Sequence, residues 1–352
     1  MRSGLGCRAL TGAVGLALAV VFAGTSFAST AFTDTTAITA TPATTPTTAP
    51  SPAPTSEPAE PADDGAYIAS EHWFDSRMLD LKIGSPAVGA IVPVRVLLPP
   101  GWTQDANRTW PVLYLLQGAH DDYTAWTRET DVEPFTADKD LIVAMPSAGP
   151  TGIPTRWLND GASGPDYETF QVTELMQLLQ RNYRAGVARA IAGVSTGGYG
   201  AMAMAAHHPG TFAAAASYSG VLNTTAPGMP AVMDAIVARE GVNPTALWGD
   251  PVTNAGVWNA DDPYALATNL RWTTLFLSCG SGLAAGSPDD LLGASLESTL
   301  WPQNRSFAAR LKLLGIPAET DFYAGGVHDW PAWRREFTKS WPLLAASLGL
   351  PS

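Results

Sequence analysis

Residues 190–209 read AIAGVSTGGYGAMAMAAHHP, and this stretch decides the fold. Ala190 to Val194 is a short apolar run of the kind that forms a strand buried on both faces. Gly200 to His208 has helical composition and stops at Pro209-Gly210. Between them lies Gly193-Val194-Ser195-Thr196-Gly197, a GxSxG in a strand–turn–helix setting. Glycines two residues either side of the serine let the chain turn sharply without Cβ collisions. The serine hydroxyl is then left exposed at the strand's C-terminal end. The helix N-terminus behind it favours negative charge developing there. Ser195 is therefore the candidate nucleophile, and the amide of Thr196 is a candidate oxyanion donor.

Working outward, the same alternation recurs. Val92–Leu98, Val112–Leu116, Leu141–Met145, Ala213–Ser217, Thr274–Ser278 and Thr320–Tyr323 read as strands. Phe170–Tyr183 and Phe307–Leu314 read as helices. Such alternation predicts one α/β domain, a mostly parallel central sheet flanked by helices. Asn223–Asp262 is rich in Gly, Pro and Trp and reads as an irregular insertion or cap.

A serine nucleophile needs a base, and the base needs an orienting carboxylate. In the strand–elbow–helix architecture the chain order is nucleophile, acid, histidine. The downstream loop histidine is His328, in Gly325-Gly326-Val327-His328-Asp329-Trp330, and it is the candidate base. His207 and His208, in the helix behind the nucleophile, are expected to face scaffold or solvent. Between Ser195 and His328, Glu319 and Asp321 belong to the strand leading to the histidine. Spacing leaves Asp289, Asp290 and Glu297 open as the acid.

The chain has 352 residues, with 20 Lys+Arg against 32 Asp+Glu and a net charge of -12. With no basic excess to neutralise phosphates, a nucleic-acid partner is disfavoured. Arg2 and Arg8, the apolar run Ala9–Gly24 and small residues after it predict a signal peptide over 1–30, cut near Ala28–Ala31. The competing reading is a retained anchor, although the run is short for a span. Residues 31–64 form a Thr/Ala/Pro tract expected to be a disordered, extended linker. That leaves a catalytic domain over 65–352, secreted or held at the cell envelope, with no stable membrane span after cleavage. Its Cys279 has no cysteine to pair with, and no CxxC or HExxH occurs, so neither a disulfide nor a metal site is anticipated.

The body resembles the antigen 85 mycolyltransferase and esterase D-type family of secreted α/β-hydrolases over most of residues 90–345. The matching pieces include Leu113–Gly118, Asp121-Asp122-Tyr123-Thr124-Ala125-Trp126, Glu168-Thr169-Phe170, the elbow, His208-Pro209 and Ser217–Gly220. They continue with Trp248-Gly249-Asp250, Asn259–Pro263, Cys279–Gly282 and His328-Asp329-Trp330. The resemblance implies an α/β-hydrolase fold and Glu297 as the acid, because Asn304 and Phe307 follow it at the mycolyltransferase spacing. It implies Ala119 as the second oxyanion donor, and Gln117, Asp121, Trp126 and Trp330 around a substrate pocket. Gln117 stands where the family often has Asp or His, and Ala119 where the transferases carry a bulkier residue. Cys279 matches a family cysteine and is expected to be a buried structural thiol. The implied substrates are acyl esters or glycolipids, with a sugar as possible acceptor and no cofactor in the chemistry. Three readings follow: a mycolyltransferase-like acyltransferase, a secreted carboxylesterase, and a non-catalytic cell-surface binding protein on the same scaffold.

Overall fold

The computed structural model describes residues 59–159, 164–282 and 290–351. The signal peptide and most of the linker anticipated from the sequence lie outside the described residues, as does Asp289. Among the described residues nine strands are found: β1 (Tyr67–Trp73), β2 (Met78–Ser85), β3 (Ala90–Leu97), β4 (Trp110–Leu116), β5 (Ile142–Pro146), β6 (Ala185–Val194), β7 (Ala214–Tyr218), β8 (Thr274–Gly280) and β9 (Ala318–Tyr323). They form one sheet in the order β1-β2-β3-β5-β4-β6-β7-β8-β9. The first three strands form an antiparallel meander joined to β5, and β4 through β9 run parallel. This is the α/β-hydrolase architecture expected from the elbow.

The strand runs are apolar throughout because the parallel part of the sheet is covered on both faces. On one face Phe170, Leu178, Met202, Phe307 and Leu311 form a core with the sheet residues Tyr114, Ile191, Leu275 and Leu277. On the other, Trp126, Trp333, Phe337, Trp341 and Leu344 pack against Leu113, Val143, Ala192 and Phe276. The last helix, Trp330–Ser347, supplies most of this second layer; it starts at the Asp329 cap, whose carboxylate accepts from the Ala332 N–H at 3.0 Å.

The structure departs from the sequence reading at several places, each for a local reason. The folded body begins earlier than residue 65. Ala62 is buried, the Glu60 N–H donates to Asn182 at 2.7 Å, and Asp63 pairs with Arg181. Strands β1 and β2 precede the first strand anticipated; Leu79, Leu81 and Ile83 supply the alternating buried face of β2. The helix at 170–183 is interrupted by a π turn over Phe170–Glu174. The helix anticipated at Phe307 starts at Leu291 and runs through Pro302 to Leu313.

The segment 223–262 is not irregular. It holds helices Met229–Arg239, Thr245–Trp248 and Ala255–Ala260. Gly228 and Pro230 stand at the start of the first of these helices, where Gly and Pro do not interrupt helical structure. Trp248 and Trp258 meet edge to face at 5.0 Å, and Trp248 lies 5.6 Å from Tyr199 on the nucleophile helix. The cap is thus fused to the catalytic scaffold by aromatic packing. Among the described residues no helix is long and apolar enough to cross a membrane.

Trp258 is almost wholly buried and its indole N–H donates to the Gly249 carbonyl at 3.0 Å. Trp258→Ala should cost about 3–5 kcal/mol, read as a lower urea midpoint at unchanged slope. A midpoint equal to wild type would mean that the cap does not unfold with the sheet.

Candidate active site

Strand β6 delivers Ser195 in a conformation that few non-glycine residues adopt, φ 54° and ψ -120°. Its neighbours hold it there. The Ser195 N–H donates to the Tyr218 carbonyl at 3.0 Å, and its own carbonyl accepts the Tyr199 N–H at 3.0 Å as the helix Thr196–His207 begins. The glycines are steric necessities. A Cβ on Gly193 would sit 2.2 Å from the Gly197 carbonyl oxygen, and one on Gly197 would sit 2.3 Å from that of Gln117.

The His328 Nε2 lies 2.9 Å from Ser195 Oγ, and Nδ1 lies 2.9 Å from Glu297 Oε1. With the carboxylate as acceptor, Nδ1 carries the proton and Nε2 accepts from the serine hydroxyl. Glu297 is fully buried, yet its second oxygen accepts the Gly280 N–H at 2.7 Å and the Cys279 thiol at 3.2 Å. Burial alone would push this carboxyl up; hydrogen bonding and charge interaction with His328 outweigh it and hold the group below its ordinary value. Cys279 is buried as expected, but it is a donor to the acid rather than a bystander, and burial beside Glu297 pushes its thiol well up.

Glu297, Leu300, Asn304, Phe307 and Leu311 share the buried face of one helix. The Asn304 amide donates to the Gly220 carbonyl at 2.8 Å, and Gln303 accepts the N–H groups of Leu222 and Asn223 at 2.7 Å each. The helix carrying the acid is therefore bolted to the loop after β7. Asp290 sits at that helix's N-cap, and Nδ1 of His328 is already engaged by Glu297.

Gly118 approaches the serine closely, within 3.3 Å for an added Cβ, which brings the loop holding Ala119 beside Ser195. Thr196 is buried, with its hydroxyl donating to the Thr151 carbonyl at 3.1 Å. The four pocket candidates divide. Gln117 and Trp126 are 2% and 1% exposed and lie behind the surface. The Gln117 amide donates to the Asp121 and Gly149 carbonyls, at 2.6 and 3.0 Å, and the Trp126 indole donates to the Leu116 carbonyl at 3.0 Å. Both brace the loop. Asp121 and Trp330 are partly exposed, and the Trp330 indole donates to Asp121 at 3.3 Å.

Sequence reasoning missed three contributors. Trp333 sets its ring edge-to-face with His328 at 4.9 Å and continues through Trp330 to Trp126. The Gly280 amide on Glu297 is invisible to any side-chain motif. His120, at φ 64°, pairs with Glu240 of the cap. Those two residues, with Asp121, Asp122, Arg128, Pro150 and Arg239, line an open cavity of about 540 Å³ beside the loop.

His207 and His208 are not idle either. Glu168 accepts from His207 Nδ1 at 2.9 and 3.0 Å, one contact to each oxygen, and from His208 Nε2 at 2.7 Å. They lie at the far end of the nucleophile helix, about 18 Å along its axis from Ser195.

The family model described as "Putative esterase" matches residues 85–344. Curated relatives include mycobacterial proteins. The chain is 30% identical over 275 residues to Esterase Rv1288 of Mycobacterium tuberculosis, covering 74% of this chain and 58% of that protein. It thus spans little more than half the length of that relative. It is 31% identical over 291 residues to the diacylglycerol acyltransferase/mycolyltransferase Ag85B of Mycobacterium intracellulare, covering 77% of this chain and 84% of the relative. Among solved structures, Mycobacterium tuberculosis MPT51 superposes with a TM-score of 0.63 at 25% identity, over 78% of this chain and all of that one. A ferulic acid esterase, at 22% identity and TM-score 0.59 over 78% of this chain and 100% of its own, shares the fold. With the elbow, sheet order and helical flanks in agreement, the chain belongs to the Esterase family of α/β-hydrolases.

Proposed function

We propose that the chain is an exported serine enzyme that forms an acyl-enzyme on Ser195 and passes the acyl group to a hydroxyl of a sugar or glycolipid. The observation that carries this reading is the unbroken hydrogen-bond line from Ser195 through His328 to a buried Glu297. In this mechanism His328 takes the hydroxyl proton as Oγ attacks an ester carbonyl. Glu297 keeps the ring in the tautomer that leaves Nε2 free and balances the imidazolium that forms. The Thr196 and Ala119 amides receive the oxyanion, a contribution of roughly 3 kcal/mol per donor in comparable sites. The imidazolium then returns its proton to the departing alcohol, and the same ring activates the acceptor hydroxyl in the second half-reaction.

Acyl transfer is favoured by the polar cavity of His120, Asp121, Asp122, Arg128 and Glu240 beside the oxyanion loop. Its lining of hydrogen-bonding groups of both signs suits a polyhydroxylated acceptor. The second reading, a secreted carboxylesterase, is supported by Gln117, whose Nε2 donates to two loop carbonyls and is not free for an acceptor. Export itself rests on the sequence of residues 1–30.

The readings separate with purified body and Ser195→Ala, given a short-chain nitrophenyl ester and then a trehalose acyl ester with free sugar. Ser195→Ala should lower kcat by at least about 10⁴-fold. Transfer outcompeting hydrolysis supports the first reading, and hydrolysis indifferent to acceptor supports the second. Absence of serine-dependent turnover on any ester overturns both and leaves a binding protein. Glu297→Gln should lower kcat by about 10⁴-fold with little change in KM, while Asp290→Asn stays close to wild type. Full activity in Glu297→Gln would refute the acid assignment.

A further inference from the structure

Glu168, His207 and Asp261 each present a ligand atom to a common point, and these atoms lie within 4.8 Å of one another. The three come from separate elements. Glu168 is in the turn Tyr167–Thr169, His207 ends the nucleophile helix, and Asp261 follows the cap helix Ala255–Ala260. We propose that they form a structural site for a divalent cation of the Zn²⁺ class, pinning the nucleophile helix to the cap.

The support is geometric. His207 Nε2 donates to the Ala260 carbonyl at 2.7 Å, which fixes the ring so that Nδ1, now donating to Glu168, would give up its proton to become the ligand when a cation binds. Ligating histidines are typically held in this way, by a carbonyl on the other ring nitrogen. Both Glu168 oxygens accept from Nδ1, at 2.9 and 3.0 Å, so the carboxylate is already turned toward the ring nitrogen that would share the cation with it. Asp261 is oriented by the Thr155 hydroxyl, which donates to Oδ1 at 2.7 Å. Thus the donor atoms have outer partners that hold them in place.

Charge points the same way. A proton on His207 offsets one of two carboxylates in a half-buried setting. A divalent ion with neutral imidazole offsets both. One imidazole nitrogen and two carboxylates suit zinc better than the all-oxygen shells of calcium. Metal–ligand bonds of about 2.0–2.2 Å ask the donors to stand roughly 3.3 Å apart, a slight opening of the Glu168–His207 pair within a set that spans up to 4.8 Å. His208, on Glu168 at 2.7 Å, is close enough to become a fourth ligand as that carboxylate shifts. Elbow chemistry does not pass through this site, so the inference stands apart from the acyl-transfer reading.

The test uses tag-free wild-type protein, His207→Gln, Asp261→Asn and Ser195→Ala, stripped with chelator and dialysed against Zn²⁺. Circular dichroism first confirms that each is folded. Elemental analysis should give about one zinc per chain in wild type and Ser195→Ala, and a marked loss in the other two. Zinc should raise the melting temperature of wild type alone among wild type, His207→Gln and Asp261→Asn. X-ray absorption at the zinc edge should show nitrogen and oxygen ligands without sulfur. No stoichiometric zinc in wild type, or equal zinc in all four proteins, would overturn the proposal and leave a proton-bridged staple.

Discussion

The serine at the end of β6 is held in a left-handed backbone conformation, and much of the molecule exists to hold it there. A non-glycine residue at φ 54° costs of order 1–3 kcal/mol. The strain persists because the sheet fixes one side of the turn and the helix fixes the other. The helix can start immediately only if it presses against the strands, and it presses so closely that side chains are forbidden at Gly193 and Gly197. Ala-rich packing along Ala201–Ala206, every residue buried, continues that close approach. Such a helix cannot be supported by solvent, so the cap aromatics Trp248 and Trp258 complete its surroundings.

A second constraint follows from the charge that the site must bury. Glu297 has no access to water, and an unpaired carboxylate there would be untenable. Each of its oxygens is served: Oε1 by His328, and Oε2 by the Gly280 amide and the Cys279 thiol. The end of β8 is therefore part of the acid's solvation. His328 inherits a fixed position from this arrangement, and Trp333 closes the remaining side of the ring. Aromatic contacts continue from Trp333 through Trp330 to Trp126, whose indole is bonded to the end of β4. The base and the oxyanion loop are thus mechanically one unit.

How much of this was readable in the sequence depended on range. The elbow was legible because its chemistry is local: a strand, two glycines and a helix within twenty residues. Most strands of the parallel sheet were legible because burial on both faces leaves continuous apolar runs. Strand β1 was not, since nearly every residue of Tyr67–Trp73 is exposed at the sheet edge. The acid is ambiguous by chain order, which leaves Asp289, Asp290 and Glu297 open; the family spacing to Asn304 and Phe307 points to Glu297, and it is Glu297 that lies against His328. The cap reads as irregular from its Gly and Pro content, although Gly228 and Pro230 stand at the start of a helix, where such residues are compatible with helical structure. The Glu168–His207 pairing could not be found by spacing, because it depends on how a helix end meets a distant turn.

Hydrolysis and transfer share every residue of the hydrogen-bond line, so the triad geometry is silent on the outcome. In the proposed mechanism the acyl-enzyme would partition between water, present at about 55 M, and an acceptor at far lower concentration. Only binding can reverse those odds: a held hydroxyl reaches effective concentrations of up to about 10⁵–10⁸ M. The decision therefore rests with groups that touch neither Ser195 nor Glu297. In the proposed reading those groups would sit on the loop of Ala119 and on the cap, which meet where His120 pairs with Glu240. The loop carrying one oxyanion amide also forms a wall of the polar cavity. An acceptor bound there would bear on the loop that stabilises the transition state, coupling acceptor binding to acyl-enzyme chemistry through a few residues of backbone.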